Sequence, residues 1–175
     1  DAVLDAARRG DADAWRVLYD AFAGRVAGYL RVQGAREPED LTSDVFLAAF
    51  RHLPTFVGGE AQFRSWLFVI AHRRLIDERR RRRLRDEDVP LDASMADTGD
   101  NEADALRSLG TQRVQQICER LAPDQRDVLL LRLVGDLTIE QVAHVVGKTP
   151  GAVKQLQRRG LAAIARLVER EGVPL

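Results

Sequence analysis

The residues whose chemistry is most explicit lie toward the C-terminal end. Gly151, Lys154, Gln155 and Arg158 fall on one outward face of a helix that Thr149 and Pro150 would open as N-cap and first helical residue. Amide, ammonium and guanidinium donors at that spacing suit base edges and phosphates if the N-terminal half of the helix enters a major groove. Just upstream, Thr138 followed by Gln141 has the form of a capping box. Ile139, Val142, Ala143 and Val146 supply a short inward face, and Gly147 permits a left-handed turn. The segment DLTIEQVAHVVGKTPGAVKQLQRRGLAA therefore reads as a helix-turn-helix, with Val153, Leu156 and Ile164 packing inward. A solvated face on an ordinary helical hairpin is the bland alternative.

Two further constellations lie upstream. Phe63, Trp66 and Phe68 alternate with Arg64, His72, Arg73, Arg74 and the run Arg79–Arg83. Aromatics beside basic residues suit unstacked bases and a single-stranded backbone, although Phe63 and Trp66 also lie on a core stripe. Asp40, Thr42, Ser43, Asp44 and Phe46 crowd one short stretch, with Asp44 and Phe46 off the main inward seam. An exposed aromatic beside carboxylates reads as a protein-docking face. Catalysis has little to stand on. His52, His72 and His144 fall in separate elements without metal-ligand spacing, and there is no phosphate loop. Cys118 is the single cysteine and sits at core spacing with Val114, Ile117 and Leu121. No catalytic residue, metal or cofactor is expected.

The elements that position these residues are helical. Trp15, Leu18, Phe22, Val26 and Leu30 mark a long helix ending at Gly34, with Asp11 or Asp13 as its cap. A second helix opens near Pro38, carries Leu41, Val45, Ala48 and Ala49, and stops before Pro54. A loop from Thr55 to Gln62 leads to a third helix from Phe63 to Arg83. Helices resume over Thr111–Leu121 and from Pro123 through Val134.

The chain has 175 residues and a formal net charge of zero, but the charge is segregated. Residues 1–83 carry a net +3, residues 84–110 a net −6, and residues 111–175 a net +3. The basic residues are overwhelmingly arginine, which favours bidentate phosphate and base contacts. The expected architecture is all-α, with two small helical domains, 1–83 and 111–175, joined by a flexible acidic linker, 84–110. With no signal peptide and no membrane-spanning run, a soluble cytoplasmic protein without membrane insertion is expected.

The order EDLTSDVFLAAFRHL, then FVGGEAQFRSWLFVIAHRRLIDERRRRR, an acidic linker, then LAPDQRDVLLLRLVGDLTIEQVAHVVGKTPGAVKQLQRRGLAAI resembles the bacterial group IV, or extracytoplasmic-function (ECF), RNA polymerase sigma factors. The resemblance covers nearly the whole chain, with sigma domain two and sigma domain four in order. It implies a subunit that binds core RNA polymerase through its β′ and β subunits, recognises promoter DNA and helps melt it. Asp40, Leu41, Asp44, Val45 and Phe46 would bind the β′ clamp. Val57, Gly58, Gly59, Glu60, Ala61 and Gln62 would capture a flipped base of the −10 element, supported by Phe63 and Trp66. His72, Arg73, Asp77 and Arg80 would lie against −10 DNA. Thr149, Lys154, Gln155, Arg158 and Arg159 would read the −35 element. The linker would thread toward the active-site cleft, and an anti-sigma protein would be the regulator. Gln155, Leu156 and Gln157 stand where many members have small or basic residues, which leaves the −35 preference open. The rival reading is a dimeric helix-turn-helix regulator with a helical sensor domain, which would need an apolar pocket upstream.

Overall fold

The computed structural model describes residues 1–86 and 112–171, and among these no strand occurs. Helices α1 (Ala2–Arg8), α2 (Ala12–Val32), α3 (Pro38–His52) and α4 (Glu60–Asp86) form the first half. A 3-10 turn, Leu53–Thr55, separates α3 from α4. The second half comprises α5 (112–119), α6 (Pro123–Leu133), α7 (Ile139–Val146) and α8 (Pro150–Glu171). Most of the expected acidic linker, residues 87–110, lies outside the described residues.

The first half is built around α2. Asp11 caps it, its side chain accepting from Ala14 N at 3.0 Å. Leu18, Phe22, Val26, Tyr29 and Leu30 repeat at helical spacing and are buried against α3 and α4. Val45, Phe46 and Ala49 of α3, and Phe63, Leu67, Phe68, Ala71 and Leu75 of α4, complete this core. Phe22 meets Phe63 and Tyr29 meets Phe68 edge to face, at centroid distances of 5.7 and 5.5 Å.

The boundaries differ from expectation at α4, which opens at Glu60 rather than Phe63 and continues past Arg83 to Asp86. Glu60, Ala61 and Gln62 therefore belong to its first turn. Helix α1 was not legible in the sequence, because only Leu4 and Ala7 of its seven residues are buried.

In the second half the local signals are realised. Thr138 Oγ1 accepts from Gln141 N at 3.2 Å and Gln141 Oε1 accepts from Thr138 N at 2.8 Å, a complete capping box. Gly147 ends α7 at φ 66°, and Thr149 accepts from Ala152 N at 3.2 Å. Five consecutive residues of α6, Asp127–Leu131, are buried. A helix covered on one side buries only a stripe, so α6 must be enclosed from two sides. Helices α7 and α8 supply one cover and the first half supplies the other. Gly160 of α8 lets the helices approach closely: a Cβ there would stand 2.7 Å from Leu129 Cδ1.

The two halves are packed together. Helix α7 lies against α4, where Gln141 Nε2 donates to Ala61 O at 3.1 Å and Arg64 pairs with Asp136 at 2.8 Å. A buried polar cluster joins α2, α4 and α6 alongside. Gln33 Nε2 donates to Asp127 Oδ1 at 2.7 Å, and Arg79 donates to Gln33 O and Oε1 at 2.7 and 2.8 Å. No described helix is long and apolar enough to cross a membrane.

Candidate nucleic-acid interface

A cavity of about 650 Å³ opens where α3, the 3-10 turn and α4 converge. Phe56, Val57, Trp66, Arg73, Arg74 and Asp77 lie in its wall, with His52 at the end of α3. Phe56 and Trp66 stack at 4.8 Å with their planes 23° apart, and Phe63 supports both from beneath. Val57 projects at 91% exposure from the tip of the loop. This offers flat aromatic surface, an apolar finger and flanking guanidiniums, a combination suited to an unstacked base and its phosphates.

The loop is held from several sides. Gly58 has φ 143°, and a Cβ there would lie 2.8 Å from Gln62 Cβ. Gln62 Oε1 accepts from Gly59 N at 3.1 Å, and Asp1 accepts from Glu60 N at 3.0 Å. Arg8 of α1 donates to Gly58 O and lies over the Phe56 ring, 5.4 Å from its centroid. The helix that sequence reasoning missed is thus the brace of the candidate base pocket.

Burial separates two of the residues expected at the −10 surface. Phe63 is fully buried beneath Phe56 and Trp66, where it can only support them. His72 is also buried, facing α2, with Nδ1 2.9 Å from the Tyr29 hydroxyl. That hydroxyl accepts from Gln33 Nε2 at 3.4 Å, so its own proton is free for His72 Nδ1. Burial lowers the His72 pKa, against the pull of Asp127, and the ring is a neutral core acceptor rather than a DNA contact. Burial likewise pushes the Tyr29 hydroxyl far above its ordinary range, with the Asp127 charge adding to the effect. Arg73, Asp77 and Arg80 are exposed, and the first two line the cavity. Gln62 and Trp66 also border a smaller groove, whose far wall is Glu140, Gln141 and His144 of α7.

The expected docking face on α3 needs a similar correction. Val45 and Phe46 are buried, and the inward seam runs Thr42, Val45, Phe46, Ala49. Asp40 and Asp44 are exposed, Leu41 is half-buried, and the exposed apolar residues are Leu47 and Phe50. Phe50 packs edge-on to Trp15 at 5.2 Å and Phe46 to Tyr19 at 4.7 Å, leaving an open apolar groove. A one-position shift of the seam conceals this in the sequence. Counting four residues on from Phe46 would have found Phe50.

On α8, Lys154, Gln155, Arg158 and Arg159 are exposed beside the Thr149 cap, while Val153 is buried and Leu156 half-buried. The N-terminal half of this helix is free to meet DNA. Among the described residues no cluster of histidine, cysteine or carboxylate side chains could hold a metal.

Comparisons with known proteins identify a family for each half. The Sigma-70 region 2 family matches residues 18–85 and the Sigma-70, region 4 family matches residues 111–164. The ECF RNA polymerase sigma factor BldN of Streptomyces coelicolor is 34% identical over 95% of this chain, which spans 64% of BldN. The ECF RNA polymerase sigma factor SigD of Mycobacterium tuberculosis H37Rv is 30% identical over 92% of this chain and 80% of SigD. Among solved structures, CnrH in complex with the cytosolic domain of CnrY has the same fold, with a TM-score of 0.70 at 24% identity, covering 96% of each chain. The α2–α4 unit with its aromatic cavity is sigma region 2, the α6–α8 unit is sigma region 4, and the chain belongs to the ECF family of RNA polymerase sigma factors.

Proposed function

We propose that this protein is a promoter-specificity subunit that binds core RNA polymerase, recognises a bipartite promoter and assists its opening. The observation that carries the reading is the pairing of two separate DNA-suited surfaces in one chain. One is the aromatic cavity at the α3–α4 junction, and the other is the exposed face at the start of α8. The first suits a base extruded from the −10 element, with Val57, Trp66, Arg73 and Asp77 around it. The second suits major-groove reading of the −35 element by Lys154, Gln155, Arg158 and Arg159, with Thr149 fixing the helix start. The outer stripe of α3, Asp40, Asp44, Leu47 and Phe50, is the polymerase-docking surface. Its carboxylates suit a basic partner helix and its apolar end suits a hydrophobic anchor.

The chain supplies no covalent chemistry of its own. Extruding a base costs a few kcal/mol, which stacking and phosphate contacts offset. Its place of action is the cytoplasm, with polymerase, and its regulator is an anti-sigma protein competing for the α3 stripe or the promoter faces. A dimeric regulator with a sensor domain is disfavoured because the upstream half matches sigma region 2. The test is transcription by purified core polymerase on a promoter library, with and without the chain. Promoter-selective transcripts only in its presence are expected. Binding of neither polymerase nor promoter would refute the reading.

A further inference from the structure

The arginine run at the end of α4 does not act as one patch. Arg79, Arg82 and Arg83 are three and four positions apart and share a face, whereas Arg80 and Arg81 point elsewhere. The shared face turns toward region 4, where Arg126 of α6 closes over it. These four arginines, with Glu119 and Pro123 on the opposite side, line a cleft of about 500 Å³ between the two halves. Arg79 is committed to Gln33, with Asp127 4.0 Å away. Among the described residues no carboxylate pairs with Arg82, Arg83 or Arg126, and the Nε of Arg126 is buried without a partner. Burial depresses the Arg79 pKa, Asp127 opposes that shift, and the nearby Arg126 and Arg82 charges add to it. The first turn of α6 opens at Pro123 on the rim, with no side-chain cap on its N–H groups.

We propose that this cleft is a binding site for a small phosphorylated ligand, present only while regions 2 and 4 are packed together. Guanidinium forks from two walls match phosphate oxygens bidentately. The volume admits a diphosphate group or a nucleotide, whereas a duplex presents its phosphates on a convex surface that cannot enter. Three of the arginines come from α4 and one from α6, so a ligand held by both favours the packed form in proportion to its occupancy. The packed form keeps α7 against Ala61 and Arg64, beside the candidate −10 surface. Ligand binding thereby opposes promoter engagement, a consequence that rests on the proposed function, whereas the site itself follows from the packing and the charges.

The experiment titrates the full chain with inorganic pyrophosphate, ADP and sulfate at fixed ionic strength, by calorimetry and thermal melting. Saturable binding of pyrophosphate or ADP is expected, with a higher Tm and at least a tenfold preference over sulfate. ADP bound more tightly than pyrophosphate identifies a nucleotide; the reverse identifies free diphosphate. Arg126→Gln should weaken binding at least tenfold, as should the exposed pair Arg82→Gln with Arg83→Gln, which carries the test if Arg126→Gln does not fold. Arg81→Gln, outside the cleft, should bind like the parent chain. Equal affinity for sulfate, or equal losses in Arg81→Gln and Arg126→Gln, would overturn the proposal in favour of diffuse charge. Binding seen only after Asp97, Asp100, Glu102 and Asp104 are changed to their amides would also overturn it, because the cleft would then be serving the chain's own acidic segment.

Discussion

At the scale of single residues, burial separates side chains that look interchangeable in sequence. Phe46 and Phe50 both sit on α3, yet Phe46 is 3% exposed and Phe50 is 50% exposed. Phe46→Ala should therefore cost about 3–5 kcal/mol of stability through the cavity it leaves. Phe50→Ala and Leu47→Ala should change stability by less than about 1 kcal/mol and weaken polymerase binding instead. Chemical denaturation and a binding assay on the same three variants separate the two effects, and a fully stable Phe46→Ala protein would refute the assignment. His72 gives a second prediction. Its pKa is depressed in the fold, so the unfolded chain takes up a proton at higher pH than the native one. Stability is accordingly retained above the unfolded value, about 6.5, and is lost as pH falls from there toward the lowered native pKa. Replacing His72 with Gln should flatten that slope. An identical pH profile in parent and variant would assign the acid sensitivity to other groups.

At the scale of elements, the helix-turn-helix was legible because its signals are local. Thr138, Gln141, Gly147 and Thr149 each satisfy or redirect backbone within a few residues of themselves, and such chemistry reads directly from spacing. The phase of α3 was not legible to the same degree, since Leu41, Val45, Phe46 and Ala49 allow two overlapping seams. Only packing against Trp15 and Tyr19 decides between them. Helix α1 gave too short a periodic signal, and its role, bracing Gly58 and Phe56 through Arg8, depends on contacts some fifty positions away. The free face of α8 makes the prediction for this scale. Lys154→Ala and Arg158→Ala should each weaken −35 DNA binding. If the side chain meets a phosphate, the slope of log affinity against log salt should fall by about 1; if it meets a base edge, the loss should be about 1–3 kcal/mol and sequence-dependent. Binding measured on cognate and scrambled duplexes at two salt concentrations distinguishes the two. Unchanged affinity on both duplexes would exclude this face.

At the scale of the whole molecule, region 4 packs on region 2 through an apolar core that runs through both halves and, beside it, through buried polar groups that resemble ordinary surface residues in sequence. Gln33 is 2% exposed and Asp127 8%, and they are 94 positions apart. Nothing local announces that pairing, which is why the sequence leaves open whether the two tethered domains pack together. The carboxylate, amide and guanidinium of that interface can each exchange a partner for water on opening, whereas its apolar contacts lose their stabilisation outright on parting. If polymerase requires the separated form, its apparent affinity is the intrinsic affinity reduced by the fraction already open. Asp127→Ala leaves Gln33 Nε2 without its acceptor and Arg79 without its nearest carboxylate and should raise that fraction, with about tenfold tighter apparent polymerase binding for each ~1.4 kcal/mol by which the packed form is destabilised. Small-angle scattering should show the radius of gyration increasing in the same variant, while Asp124→Ala, on the solvent side of α6, should alter neither quantity. A more extended Asp127→Ala protein with unchanged polymerase affinity would mean that polymerase accepts the packed form, and the polar cluster would then serve only to fix the relative position of the two regions.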